Sequence, residues 1–511
     1  MDSTINRLVH LTNLIYTALD DKSEVLITFL DISKAFDRVW HPGLLHKLKE
    51  FGISGTLYDW FVSYLSDRNQ KVVISGDESS DKNTNAGVPQ GSILGPLLFL
   101  IFINDIIDGM ENLMFLFADD ASLVNIFKDL DEACSSINRD LHRLAKWAET
   151  WRVTFNLLKT VFMIISKKNQ THRPRILMNG TELKQVEEEC YLGMVLNTDL
   201  SWKPHTNKMI CKASKKIGLL YKIRNKISRS ALSKYYTTFI RPVLEYGSVV
   251  IANCTAYDAH RIEQVQRRAA ILCTGAFRRT SYKALLSELG WEYLEDRRRK
   301  AKLILMFKIL NNLTPQYLKD QIPPQVQETT QYNLRNRTHV RIPLSRTSYC
   351  HLSYIPSTLK LWNALDPELR NSRTLNRFKR KLKFRPSPLV KLYSISYGHG
   401  SISHTQIRLG LSKLRTHLFS HSIISEPYCT QCQLNANETP LHYFLCCPAF
   451  AAQRVEMLRG LRDSMTPEQF PNNRQLLQII IHGNPDSTIE TNRNIFKLIH
   501  QYILSTKRFT V

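Results

Sequence analysis

No part of this chain reaches the roughly 18 consecutive apolar residues that a membrane-spanning helix needs. The longest apolar run, Leu97–Ile103, stops at Asn104-Asp105. Met1 is followed by Asp2 and a polar, helix-like segment, which argues against a secretory leader. Cysteines are few and scattered except for four between Cys429 and Cys447. That distribution excludes a disulfide framework and points to a metal site in a reducing compartment. No internal repeat is present. Acidic residues are the main shortage: 45 stand against 69 Lys and Arg, a formal net charge of +24. An excess of that size favours a polyanionic partner, nucleic acid first and anionic membrane second.

What is present is an ordinary apolar fraction, 43%, enough to bury cores in roughly two to four domains. Residues 4–19 carry Ile5, Leu8, Leu11, Leu14, Ile15 and Ala18 at helical spacing. VLITFL, ending at Asp31, is a short continuous apolar run that suits a strand buried on both faces. Helices are expected from about Pro42 and over Leu57–Leu65, and a strand over NQKVVISG. GVPQGSILGP reads as a Gly/Pro loop feeding the apolar helix LLFLIFINDII. LMFLFA and ASLVNI flank an acidic pair in a hairpin pattern, with Asp119 and Asp120 at or beside the turn. A long helix through Leu141, Leu144 and Trp147 follows, then strands at VFMIIS and CYLGMVLN. Strands and helices interleave to about residue 200, and the fold class expected is α+β. Residues 258–310 look helical, whereas 311–357, rich in Pro, Asn, Thr and Arg, reads as loop or linker. A second acid-free basic tract runs from Arg373 to Lys391.

Asp31 and the Asp119-Asp120 pair lie 88 positions apart, yet each ends or interrupts a short apolar strand. If those strands are neighbours, three carboxylates meet at one sheet edge, where they repel unless protonated or neutralised by metal. Hard oxygen ligands suit Mg²⁺ (or Mn²⁺), and two such ions serve phosphoryl transfer. Taken separately neither acidic site settles the matter, because an Asp at a strand end or hairpin turn commonly bonds nearby backbone amides. Between Leu200 and Leu244 there are 11 Lys or Arg and no acid. Ile210, Ala213, Ile217 and Leu220 form the apolar stripe of a helix whose other faces carry Lys208, Lys212, Lys215, Lys216 and Lys222. Such a helix packs on protein while neutralising phosphates. Cys429-x2-Cys432-x9-His442-x4-Cys447 has the donor set of a closed Zn²⁺ site, with Cys446 a competitor for the fourth position.

FLDISKAFD (29–37), GVPQGSILGP (87–96), FADD (117–120), FNLLKT (155–160) and YLGMVL (191–196) occur in this order. Together they resemble the successive palm motifs of reverse transcriptases from non-LTR, LINE-type elements of the jockey-like kind. IRPVLEYGS, VQRRAA and LWNALDPEL resemble the sequence that follows the palm there. The resemblance implies a right-hand polymerase palm, an antiparallel sheet with packed helices, over 1–199. It further implies a thumb-like basic helical region over 200–310, a connection over 311–398 and a region with a zinc knuckle over 399–511. Asp31, Asp119 and Asp120 would hold the catalytic metals. Phe36 would gate the deoxyribose, although a core aromatic suits the same place. Pro89, Gln90 and Gly91 would contact the incoming nucleotide and template, and Lys159 the triphosphate. Tyr191, Leu192 and Gly193 would form the primer grip, or simply a buried strand.

The implied activity is RNA-directed DNA polymerisation with RNA template, DNA primer and dNTPs as partners, no membrane, and nuclear or cytoplasmic residence. Only 30 residues precede Asp31, so the resemblance also implies that fingers and an endonuclease belong upstream and that Met1 is an internal methionine. A catalytically inactive nucleic-acid-binding remnant is the alternative.

Overall fold

The computed structural model describes residues 2–167, 174–329, 338–384, 386, 390, 393, 398–465 and 471–509. The chain folds into two compact units, neither of them one continuous stretch. The first gathers residues 1–205, 249–253 and 305–366; the second gathers 206–248, 254–304 and 367–511. These units cut across the four consecutive regions expected from the sequence.

The first unit is built on a five-stranded sheet. Its strands are β1 (Glu24–Asp31), β2 (Leu113–Phe117), β3 (Asp120–Phe127), β4 (Val161–Ile165) and β5 (Lys184–Gln185). The order is β5-β4-β1-β3-β2, antiparallel throughout except for the β5–β4 pair. The central strand β1 is covered on both faces, which is why its sequence is continuously apolar instead of alternating. Leu26 and Leu30 face a core shared with α2 (His41–Glu50), α4 (Leu94–Ile103) and α5 (Leu130–Thr150); α3 (Gly55–Leu65) adds Phe61 and Leu65 to it. The opposite face meets α1 (Thr4–Asp20), whose His10 packs on Phe115 of β2 at 4.9 Å. A separate hairpin, β6 (Glu188–Tyr191) and β7 (Met194–Asn197), lies on that face through Tyr191 against Phe29, 5.5 Å between rings.

Two expectations need correction. NQKVVISG is not one strand. It contributes only the two-residue strands Asn69–Gln70 and Val73–Ile74, paired with Lys82–Asn83 and Asp77–Glu78. Both faces of this ribbon are exposed, so no buried side enforces a longer ladder. Nor is 311–357 an unstructured linker. Short helices at Gln316–Lys319, Ser348–Leu352 and Tyr354–Asn363 pack against α1. Tyr317 stacks on His10 at 4.6 Å and donates to Asp2, while the amides of Arg346 and Thr347 donate to the Asp20 carboxylate. Helices of four or five residues leave no periodic signature, and the ten-residue Tyr354–Asn363 lies mostly beyond this stretch.

The second unit is helical among the described residues. It contains most of α6 (Lys203–Ile223), the helices Ala256–Thr274 and Tyr282–Leu289, and a C-terminal core around Tyr443, Phe444, Ile480 and Phe496. Glu288 is buried between Arg229 (2.9 Å) and Arg408 (2.7 Å), so both cations are matched by one carboxylate and by carbonyl acceptors. Part of the expected basic tract Arg373–Lys391 lies outside the described residues. No helix among the described residues is long and apolar enough to cross a membrane.

Candidate active site and candidate metal centre

β1 runs antiparallel to β3 in a register that sets Asp31 directly opposite Asp120. Paired Cα atoms across such a ladder are about 4.5–5.5 Å apart. Phe117 pairs with Asp120, leaving Ala118-Asp119 as a two-residue turn with Ala118 left-handed (φ +53°). The fold therefore brings the three sequence-identified carboxylates to one sheet edge. Strand alternation places Asp31 and Asp120 on the face that carries Phe29 and Tyr191. Asp120 remains exposed, yet partial desolvation against the sheet, followed by the charges of Asp119 and Asp31, raises the pKa of its carboxyl. That is the electrostatic signature of a site short of positive charge.

The FNLLKT segment fastens Asp31 from its other side. Ile32 bridges Phe155, the Asn156 amide donates to the Asp31 carbonyl (2.8 Å), and the Asp31 amide donates to buried Thr160 Oγ1 (3.3 Å). The following turn carries Lys159, largely exposed, with Nζ 3.9 Å from Asp31 Oδ2.

GVPQG is pinned to the short helix Ala35–Arg38. Val88 N–H donates to the Phe36 carbonyl, Gly87 N–H to that of Val39, and Gln90 Nε2 to Asp37 Oδ1 (2.7 Å). Gly87 sits at φ +92°, and a Cβ there would lie 2.8 Å from the Asp37 carbonyl oxygen, so only glycine fits. Gly91 is also left-handed and exposed. Phe36 is partly buried, one ring face stacked on Phe99 at 4.5 Å. Beside the loop opens a cleft of about 620 Å³ lined by Lys34, Arg38, Arg68 and His41 together with Asp37 and Val88–Gln90. Sequence reading did not single out these cations: Lys34, Arg38 and His41 stand among ordinary charged residues, and Arg68 reaches the cleft only through the fold.

In the β6–β7 hairpin, Leu192-Gly193 is the turn, with positive φ at both residues (+46° and +77°). Tyr191 and Leu192 are buried and Gly193 is exposed, so the turn backbone is what this hairpin offers outward.

Two positioning groups escaped the sequence reading. Asp140 of α5 is fully buried and accepts from the amides of Glu111 and Asn112, the Asn112 side chain and Arg143, anchoring the entry to β2. Lys47 of α2 is buried, paired with Asp105 and lodged over the Trp151 ring at 3.7 Å. Each sits on a helix among other charged residues, so nothing in the local sequence marks it as buried.

In the second unit, α6 buries Met209, Ala213, Ile217 and Leu220, with Ile210 at the margin. Lys208, Lys212, Lys215 and Lys222 are exposed and Lys216 is half-buried. Further along, the ligand atoms of Cys429, Cys432, His442 and Cys447 all lie within 4.8 Å of one another. Cys446 points away into solvent and is not in the cluster. Burial raises the Cys429 thiol and pushes Cys447 up to about 12, and it lowers His442. Three crowded sulfurs and an imidazole match the donor set of a closed tetrahedral Zn²⁺ site, where a cation would draw the thiols to thiolates.

Residues 3–196 match the reverse transcriptase (RNA-dependent DNA polymerase) family. This segment is a reverse transcriptase domain. The chain is 31% identical over 284 residues to the RNA-directed DNA polymerase from mobile element jockey of Drosophila melanogaster, covering 53% of this chain and 31% of that protein. It is 30% identical over 283 residues to the probable RNA-directed DNA polymerase from transposon X-element of the same species, with the same coverage. An 86-residue stretch is 35% identical to the Pol polyprotein of the type-1 retrotransposable element R2 of Popillia japonica, 17% of this chain and 14% of that one. The chain thus spans about a third of the length of the two Drosophila relatives. The likeness to a jockey-like, non-LTR reverse transcriptase holds, and all five motif blocks fall in the reverse transcriptase domain.

Proposed function

We propose that this chain is an RNA-directed DNA polymerase that extends a primer 3′-OH with dNTPs on an RNA template. The observation that carries the reading is the register pairing Asp31 with Asp120, next to Asp119 in the turn. Asp31, Asp119 and Asp120 would hold Mg²⁺ (or Mn²⁺). Two such ions, when bound, favour the attacking alkoxide and offset charge on the leaving pyrophosphate. The protein's own part is placement. Gly87 lets the Pro89-Gln90-Gly91 loop lie against Phe36, so that nucleotide and gate share one wall. Lys34, Arg38 and Arg68 bring positive charge to the adjoining cleft, suited to a polyphosphate, and Lys159 adds a cation beside Asp31. The Tyr191-Leu192-Gly193 turn stands on the carboxylate face, where its backbone would meet the primer end. In this reading the first unit is the palm. The α6 lysines 208, 212, 215, 216 and 222 are the thumb's phosphate contacts, and the Cys429/Cys432/His442/Cys447 cluster is a structural zinc knuckle. The protein would work inside the cell, in nucleus or cytoplasm.

Primer extension on an RNA template is the test, comparing the wild-type chain with Asp119→Ala and Asp31→Ala. Incorporation should fall by at least about 10³-fold in either variant. Equal incorporation by wild type and variants would overturn the assignment.

A further inference from the structure

The run Arg229–Glu245 is not a uniform helix. Between α-helical turns at Arg229–Tyr235 and Arg241–Glu245 it opens into a π-helical turn, Tyr236–Ile240. Pro242 accounts for this: it has no N–H to return and its ring crowds the preceding turn. Tyr236 is turned fully inward, stacked on Trp291 at 4.2 Å and donating to Gln266 at 2.6 Å. Phe239 is turned outward and is half exposed (51%). Lys216 of α6 brings its Nζ to 5.9 Å from the ring centre, and the Tyr235 ring lies 5.2 Å away.

At 100° per residue, Lys216, Lys212, Leu219, Lys215 and Lys222 fall on one side of the buried α6 stripe, within an arc of roughly 120°. Among the described residues, Lys212, Lys215, Lys216 and Lys222 have no carboxylate within salt-bridge distance. The surface is therefore a cationic strip with an aromatic ring at its edge, and no acid occurs in the sequence from Leu200 to Leu244.

We propose that the Lys212–Lys222 face of α6 and the ring of Phe239 together bind an unpaired nucleic-acid strand, the lysines tracking phosphates while Phe239 stacks on a base. This rests on the nucleic-acid role proposed above for α6 and goes beyond it in naming the strand state and the stacking residue. A duplex offers phosphates to the same lysines but no free base face to the ring, and leaves half of Phe239 wet. Unpaired strands bind through this combination of cationic track and aromatic platform.

The test uses the full chain with short RNA and DNA oligonucleotides carrying one 2-aminopurine, single-stranded or annealed. Binding of the single strands should quench the probe. Phe239→Leu should abolish the quenching and weaken single-strand binding roughly five- to tenfold, with duplex affinity unchanged; Phe239→Trp should restore both. If RNA alone is quenched, or DNA alone, the strand chemistry is read directly. Equal quenching by wild type and Phe239→Leu would overturn the stacking claim and leave the lysine reading intact. The double variant Lys212→Glu/Lys216→Glu should weaken single strands and duplexes alike and flatten the salt dependence. If it changes neither, the underlying nucleic-acid reading fails too.

Discussion

Lys47 has a charge, three aromatic neighbours and almost no water. Its ammonium lies over Trp151 at 3.7 Å, Phe102 at 4.9 Å and Trp147 at 5.2 Å, donates to the Phe102 carbonyl and pairs with Asp105. Burial lowers its pKa, and Asp105 works against that shift. Asp105 keeps a third of its surface in water and a bond from Trp147 Nε1, so the loss on removing Lys47 falls on the packing and hydrogen bonds of the buried ammonium itself. Lys47→Ala should therefore cost about 3 kcal/mol in urea unfolding followed by tryptophan emission. Lys47→Met with Asp105→Leu should recover most of it; a double variant as unstable as the single one would refute this account. At Gly87 the constraint is backbone, not charge. Gly87→Ala must push the loop off the Asp37 carbonyl, so in the proposed reaction the KM for dNTP should rise at least about tenfold, read in steady-state extension. Asp31, Asp119 and Asp120 were legible because they stand in motif blocks that occur in a set order, not because an acid at a strand end is specific by itself. Asp140 was not, since burial is invisible on a helix whose other positions are polar.

Among elements, the β2–β3 hairpin and β1 were readable because a continuous apolar run interrupted by acids specifies both strand and end. The ribbon over 69–83 was not, because with both faces exposed no buried side gives it a period. The helices within 316–363 were not, as they are held by packing on α1 and not by their own pattern. The π-helical turn before Pro242 is a further element only the structure displays. The helix His399–Arg408 meets the C-terminal helix Ile489–Ser505 through a histidine pair. His404 Nε2 donates to the Ile480 carbonyl (2.9 Å), so its Nδ1 accepts from His500 Nε2 (3.1 Å). Acceptance at Nδ1 requires a neutral His404. Burial, then the nearby Arg408, lowers both, His500 to about 4. The folded-state values lie below the unfolded value, so this contribution to stability is full above about pH 6.5 and is lost as pH falls toward 4. Thermal melting of the C-terminal region should drop through that window, and His500→Gln should flatten the drop. An unchanged acid limb in His500→Gln would show that other groups govern it.

For the whole molecule, the net charge of +24 and the cysteine cluster set measurable behaviour. Affinity for nucleic acid should fall at least about tenfold between 50 and 200 mM salt; a flat salt profile would exclude phosphate-led binding. If the cluster is a zinc site, the protein will carry one equivalent of Zn²⁺ by metal analysis and Cys447→Ser will lose it. Full retention in Cys447→Ser would remove that residue from the ligand set.

The sequence by itself determined the reverse transcriptase domain, the three carboxylates, the cysteine-histidine set and the basic helix. Each is written in local spacing, where residue type and interval already restrict the chemistry. Tertiary structure alone decided that Asp31 opposes Asp120, that Tyr191 and Leu192 turn inward, and that 305–366 returns to the unit of the sheet while 367–511 belongs to the other. Those outcomes depend on register and on burial between segments distant in the chain, where many arrangements share one local pattern and only long-range packing selects among them.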